Sequence, residues 1–283
     1  MDTLDAVILG LVQGLAEYLP ISSSGHLEIF RELLGLNLSS ADSLQFDVLL
    51  HVATVLSTIV VLWPEFRRLV VSFFTFKRDS DFMYVCKILV SCIPIGIVGL
   101  CFKDVIEEFF GQELTLVGIC LCVTAALLSF SYFFGTRLLD TNSLTGRTYR
   151  PRNITFVDAF VIGCAQAVAV LPGLSRSGTT IATGILIGDK REQVAQFSFL
   201  MVVIPILGEA LLDIKHMFAI DSIDAAADVA TASIGIVPAI AGFLTAFVAG
   251  CLACKWMLNI VRKGKLIWFA VYCLIVGLIC IFA

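Results

Sequence analysis

Two short stretches of this chain carry residues that can do chemistry, and both are set in apolar surroundings. The first, Gln13 to His26, brings an amide (Gln13), a carboxylate (Glu17), three hydroxyls (Ser22, Ser23, Ser24) and an imidazole (His26) together around Pro20 and Gly25. The second, Pro172-Gly173-Leu174-Ser175-Arg176-Ser177-Gly178-Thr179-Thr180, sets a guanidinium among hydroxyls. Arg176 is the informative member, because a guanidinium at membrane depth needs an anion and its fork suits phosphate oxygens. Ser22, Ser24, Gly25, Ser175, Ser177, Gly178 and Thr180 add hydroxyl and backbone N–H donors at helix starts, where anions bind. Gln13 and Glu17 are four apart on one helical face, so their oxygens can hold a divalent cation that bridges to phosphate. Ser23 and His26 can serve as hydroxyl nucleophile and proton carrier, the pairing expected for covalent phosphoryl transfer. Position alone does not decide which hydroxyl attacks.

The surroundings are those of a bilayer. Of 283 residues, 59% are hydrophobic and 15% charged, with a mean hydropathy of +0.97. Soluble domains carry about a quarter charged residues, so the composition excludes that class and predicts an all-α integral membrane protein. The net charge of −4 says little, because the placement of Lys and Arg matters more than their sum. Nearly all ten cysteines fall in apolar runs and act there as small hydrophobes. The Cys251/Cys254 pair lacks a second pair or a nearby His, so no metal or redox role is expected of it. The acidic start Met1-Asp2-Thr3-Leu4-Asp5 predicts no cleavable signal peptide. No nucleic-acid partner is expected.

Full-length spans are predicted at 44–63, 84–102, 114–134, 194–212, 229–254 and 266–283, with 27–43 near an interface. Residues 5–20 and 154–171 are apolar but interrupted, and each ends in a Pro/Gly turn. They read as helices that enter the membrane and turn back, which irregular backbone tolerates only inside protein or beside a cavity. The basic loops 64–83 (Arg67, Arg68, Lys77, Arg78), 135–153 (Arg137, Arg147, Arg150, Arg152) and 255–265 (Lys255, Arg262, Lys263, Lys265) are predicted cytoplasmic. The connections holding Lys103 and Lys215 are acidic and face out.

An internal repeat supports this arrangement. A shift of 153 aligns residues 5–25 with 158–178 without a gap, matching Asp5/Asp158, Ala6/Ala159, Gly10/Gly163, Gln13/Gln166, Ala16/Ala169, Ser22/Ser175, Ser24/Ser177 and Gly25/Gly178. Three spans separate the copies, so the second is inverted relative to the first. The chain is thus expected to be a single membrane domain, 1–283. Half 1 (1–134) and half 2 (154–283) flank a linker (135–153), each half being a re-entrant helical hairpin plus three transmembrane helices. In inverted repeats the site lies near the midplane, where the broken helices meet. At the aligned position Ser23 replaces Arg176, so one copy keeps a reactive group where the other keeps the clamp.

Other polar residues have plainer readings. Asp47 and His51, four apart on the first full span, are read as a structural pair in preference to a pair that supports the site from behind, and Glu209 as a polar residue facing the bundle interior in preference to one touching the substrate. Thr179 and Ser22 can simply bond to their own helix backbone.

Gln13-x3-Glu17 with Leu19-Pro-x-Ser-Ser-Ser-Gly-His26, then Phe46-Asp47-Val48-Leu49-Leu50-His51, then Pro172-Gly-x-Ser-Arg-Ser-Gly-x-Thr180, closely resembles the undecaprenyl-diphosphatase family, also called the bacitracin-resistance proteins. The likeness runs end to end and includes Phe197-Ser198-Phe199-Leu200. It implies a hydrolase of the bacterial cytoplasmic membrane that converts undecaprenyl diphosphate to undecaprenyl phosphate and inorganic phosphate. That reaction recycles the lipid carrier for peptidoglycan synthesis, and with it cell shape and bacitracin resistance. The family's (Glu/Gln)-x3-Glu motif, its dependence on a divalent cation (Mg2+ or Ca2+) and its serine, histidine and arginine roles carry over to Gln13, Glu17, Ser23, His26 and Arg176. Many members have Glu where Gln13 stands, which removes one charge from the implied metal site. A polyprenyl-phosphate flippase shares inverted-repeat architecture, but a pure carrier has no use for Glu17, Ser23 and His26. The Ser24-Gly25-His26 fragment also occurs in type-2 phosphatidic acid phosphatases. Those place a His soon after their Ser-Arg motif, whereas here the next is His216.

Overall fold

A computed structural model describes residues 1–36, 38–76, 78–101, 114–140, 151–208, 210–211 and 234–282. These are helical throughout, with one isolated bridge between Arg152 and Asp189 and no strand among the described residues. In chain order the helices are α1 (Thr3–Ala16), α2 (Ser23–Leu33), α3 (Ser40–Val61), α4 (Trp63–Thr75), α5 (Ser80–Cys101) and α6 (Leu114–Asp140). They continue as α7 (Phe156–Val168), α8 (Arg176–Leu186), α9 (Arg191–Met201), α10 (Ile236–Arg262) and α11 (Ile267–Phe282).

Four stretches are long and apolar enough to cross a bilayer: Asp42–Val61, Ser80–Cys101, Leu114–Phe134 and Ile236–Arg262. Side chains such as Leu100, Ile236 and Trp268 are 71–80% exposed. An apolar surface of this extent has no stable place in water, and the chain is an integral membrane protein. Three of the six expected spans differ from the prediction. Residues 194–212 are interrupted, because α9 stops at Met201 and turns at Val202 before helical turns resume at 203–208. The last span is the 16-residue α11. The span expected at 229–254 runs further, as α10, through Arg262, so Lys255 and Arg262 lie in a helix rather than a loop. Much of the expected loop 64–83 is likewise helix α4, which begins after a single non-helical residue, Leu62. The acidic connections expected to face out, Lys77, residues 141–150 of the basic linker, and Glu209 lie outside the described residues.

Helices α1 and α7 are 14 and 13 residues long, roughly 20 Å at 1.5 Å per residue, and too short to span. Each starts on an acid three residues into the helix. Asp5 accepts the Asp2 backbone N–H (3.0 Å), and Asp158 accepts that of Thr155 (2.8 Å). Their buried faces, Ala6, Leu9, Gly10, Gln13 on α1 and Ala159, Ile162, Gly163, Gln166 on α7, follow helical spacing. Each packs on a helix of the other half, α1 on α10 and α7 on α5. Close approach is what fixes glycine here: a Cβ at Gly10 would overlap the Gly242 carbonyl, and one at Gly163 the Ser91 carbonyl. The 153-residue shift carries α2 onto α8 at both ends and the start of α6 onto the start of α11. Helices α6 and α11 pack together, α3 packs on α10, and α2 and α8 each fold back on the helix before them.

Candidate active site

The two hairpin turns meet. Ser177 Oγ donates to the Leu19 carbonyl (3.2 Å), joining residues 158 apart. A Cβ added at Gly25 would lie 2.9 Å from Gly173 Cα, and one at Gly178 would lie 3.2 Å from Pro20 Cβ. Gly25 and Gly178 are equivalent under the repeat shift, as are Pro20 and Gly173, so the contact is reciprocal. Each return helix is capped alike: Ser22 Oγ accepts the Gly25 N–H (3.3 Å) and Ser175 Oγ the Gly178 N–H (3.1 Å). Ser22 holds a φ of 71°, uncommon for a residue with a side chain. Thr124 of α6 accepts the Ser175 N–H (3.0 Å) and fixes the second turn from outside.

Glu17 is the centre of the site. Its Oε2 accepts from Gln13 Nε2 (2.9 Å) and from Ser23 Oγ (2.8 Å), and lies 3.6 Å from His51 Nε2. Its Oε1 faces Arg176 at 4.0 Å, too long for a hydrogen bond and close enough for attraction. Tyr18 locks this residue's neighbour in place, since its hydroxyl donates to the Thr54 carbonyl (2.6 Å) and lies 2.8 Å from Thr58 Oγ1. Ser177 and Thr180 line one cavity with Glu17 and Arg176.

Gln13, Glu17, Ser23 and Arg176 are therefore brought together as the sequence reading expects. His26 is not paired with Ser23. Its Nδ1 lies 2.8 Å from the Ser22 carbonyl, which only accepts, so Nδ1 carries the proton and neutral Nε2 accepts from the Tyr272 hydroxyl (2.8 Å). The base set against the Ser23 hydroxyl is Glu17, because the helical turn from Ser22 points the imidazole at α11 instead. Ser22 serves as the cap, with Ser24 Oγ 3.4 Å from its hydroxyl. Thr180 donates to the Arg176 carbonyl (2.8 Å), whereas buried Thr179 Oγ1 has no hydrogen-bond partner. The plainer reading thus fits Ser22, which caps its own helix, and not Thr179.

The Asp47/His51 reading is corrected as well. Asp47 pairs with Arg31, which also holds Glu28 (3.1 Å), while His51 Nδ1 donates to the Asp47 carbonyl (2.7 Å) and turns Nε2 towards Glu17. An ionisable residue inside a span is a site candidate by default, and that signal alone would have found His51. Nothing in the apolar run of α11 marks Tyr272.

A divalent cation fits this donor set in a limited way. Gln13 Oε1 is buried without a hydrogen-bond partner, beside the single carboxylate of Glu17. No group of three or more His, Cys, Asp or Glu that could hold a metal occurs among the described residues. The protein offers two oxygens, and phosphate and water would complete the shell, a usual arrangement for Mg2+.

Taken together, the helices and their meeting turns define an integral membrane protein built on two paired hairpins. The model of the family described as Bacitracin resistance protein BacA matches residues 6–279, and the chain belongs to that family. It is 54% identical to the undecaprenyl-diphosphatase of Bacteroides fragilis (strain ATCC 25285) over 99% of this chain and 98% of that protein. Against the undecaprenyl-diphosphatase of Parabacteroides distasonis it is 51% identical, with the same coverage. The archaeal protein of that name from Methanosphaera stadtmanae is 36% identical, again over 99% and 98%.

Proposed function

We propose that this chain is a membrane phosphatase that hydrolyses undecaprenyl diphosphate to undecaprenyl phosphate and inorganic phosphate, recycling the carrier for cell-wall synthesis. The relatives' shared name supports the reaction. The observation that carries the site is the Ser23 hydroxyl donating to Glu17 Oε2 at 2.8 Å, with Arg176 on the opposite carboxylate oxygen.

In this reading Glu17 takes the Ser23 proton as Oγ attacks the terminal phosphorus, and the lipid phosphate leaves. Water then attacks the phosphoserine, and Ser23 recovers a proton through Glu17. Arg176, Ser175 and Ser177, with the backbone N–H groups that open α2 and α8, hold the phosphoryl oxygens. Phosphoryl transfer asks mainly for positioning and charge stabilisation, which a guanidinium and two helix starts supply. His26, whose Nε2 accepts from the Tyr272 hydroxyl, is the group beside Ser22 and Ser24 that can take up a proton during turnover. Glu17 and Gln13 Oε1 would hold a Mg2+ or Ca2+ ion, which would supply charge neutralisation for the diphosphate. The hairpins form an inverted repeat in the bacterial cytoplasmic membrane, with the basic stretches 64–83, 135–153 and 255–265 on the cytoplasmic side.

The test is phosphate release from a polyprenyl diphosphate by purified protein, with and without chelator. Glu17→Ala and Arg176→Ala are each expected to lower kcat/KM by about a hundredfold or more. Persistence of release in either variant overturns the site assignment.

A further inference from the structure

The cavity that contains Glu17 and Arg176 changes character along its length. One end is polar, with Glu17, Arg176 and Ser177; the other is formed by Val55 of α3 and by Val202 and Ile206, beyond the break in α9. These last three belong with Val203, Ile59 and Leu207 to one apolar cluster. Val55, Val202 and Ile206 are buried, while Val60 and Ile204 on the same two segments are exposed, 55% and 40%, so only a thin apolar layer separates this end from the outer surface.

Ser198 lines the same cavity. It is 5% exposed, and its hydroxyl has no hydrogen-bond partner. Other hydroxyls on these helices resolve the same problem within their own helix: Thr58, Thr180 and Thr245 each donate to the carbonyl four residues back. Ser198 does not, although α9 supplies the carbonyl at Val194. A buried hydroxyl left unpaired carries a standing cost that a bound acceptor would remove. The break at Val202, one turn later, turns the chain so that Val202 and Ile206 face Val55 instead of extending the helix.

We propose that this cavity seats the junction of the substrate. Ser198 donates to an oxygen of the lipid-side phosphate, and Val55, Val202 and Ile206 meet the first carbons of the tail. This rests on the hydrolase reading and adds where the amphiphile changes from head to tail. An apolar wall beside an anion clamp rejects a bare phosphate ester and rewards a branched hydrocarbon on the same phosphate. Chain preference is therefore set at these three side chains as well as by partition into the bilayer.

The experiment uses full-length protein in detergent with two soluble probes, the fifteen-carbon farnesyl diphosphate and the five-carbon isopentenyl diphosphate. Ser198→Ala is expected to lower kcat/KM for both by about tenfold. Val202→Trp and Ile206→Trp, which fill the apolar end, are expected to lower the farnesyl-to-isopentenyl ratio of kcat/KM by at least about tenfold. Val202→Ala, which enlarges it, should lower the same ratio through KM and covers the case of a tryptophan variant that fails to fold. An unchanged ratio in the folded variants overturns the proposal. Binding of farnesyl diphosphate to a Glu17→Ala background separates the two readings. Wild-type protein that hydrolyses neither probe, with binding that is still lost in Ser198→Ala and Val202→Trp, removes the hydrolase reading and keeps the cavity assignment. Binding that is indifferent to both changes removes the cavity assignment.

Discussion

At the scale of single residues, Glu17 gathers more partners than any other side chain of the site, and each partner restricts it differently. Gln13 and Ser23 donate to one oxygen, Arg176 attracts the other, and His51 closes the remaining side at 3.6 Å. His51 touches no reacting atom in the proposed chemistry. It positions Glu17, and its own ring is fixed by donation to the Asp47 carbonyl. Residues that orient a functional carboxylate in this way typically change activity by 10- to 100-fold when removed. His51→Ala is therefore expected to lower kcat by roughly that factor with little change in KM, whereas His51→Gln, which keeps an N–H towards Glu17, should recover most of the loss. Steady-state kinetics on both variants check this. Equal losses in the two would mean that ring packing, rather than orientation of the carboxylate, is what matters at this position.

Among elements, the decisive contact is that of the hairpin turns. Four short helices, α1, α2, α7 and α8, with the two turns that join them, carry every residue of the proposed machinery except Val55 and His51 of α3, the contributions of α9 and the segment after it, and Tyr272 of α11. None of the four is long enough to be stable alone in a bilayer, and their orientation comes from packing on α10, α5 and α6. The turns touch backbone to backbone at Gly25 and Gly173. A side chain at Gly25 must force them apart, and a shift of about 1 Å between reacting groups costs on the order of a hundredfold in rate. Gly25→Val is expected to lose activity by that order while Gly96→Ala, in α5 at a position with open space around it, loses none. Hydrolysis assays with thermal unfolding as a control make the comparison. Wild-type turnover in Gly25→Val would show that the turns need not meet.

On the scale of the whole molecule, the frame carries a buried charge away from the site. Asp189, between α8 and α9, is 3% exposed, and neither of its carboxylate oxygens has a hydrogen-bond partner. Burial, then the neighbouring Asp158, push its pKa up from 3.8 to about 6, against the pull of Arg152 and Lys87. The sign follows from proton counting. Between about pH 4 and pH 6 the folded protein keeps a proton that the unfolded chain has released, so stability falls as pH rises through this window and stays lower above it. Asp189→Asn is expected to raise Tm by a few degrees near neutral pH, with the gain fading towards about pH 4. A gain of equal size at both ends of the range would place its origin elsewhere than in this ionisation.

Composition alone determined that the chain lives in a bilayer, since so few charges cannot cover a water-facing surface. Local spacing marked both turns, because a Pro/Gly break in an apolar run and a cap four residues wide are properties of adjacent residues. The self-match at 153 residues then paired the two turns, and with them Glu17, Ser23 and Arg176. Partners drawn from distant segments were beyond such reading. Spacing tied His26 to Ser23 and His51 to Asp47, as neighbours on one helix. Only the packing of α2 against α11, and of α3 beside the first turn, turned His26 to a tyrosine 246 residues away and His51 to Glu17. A helical side chain has several neighbours within reach, and which of them it meets is decided by the helix that closes over it.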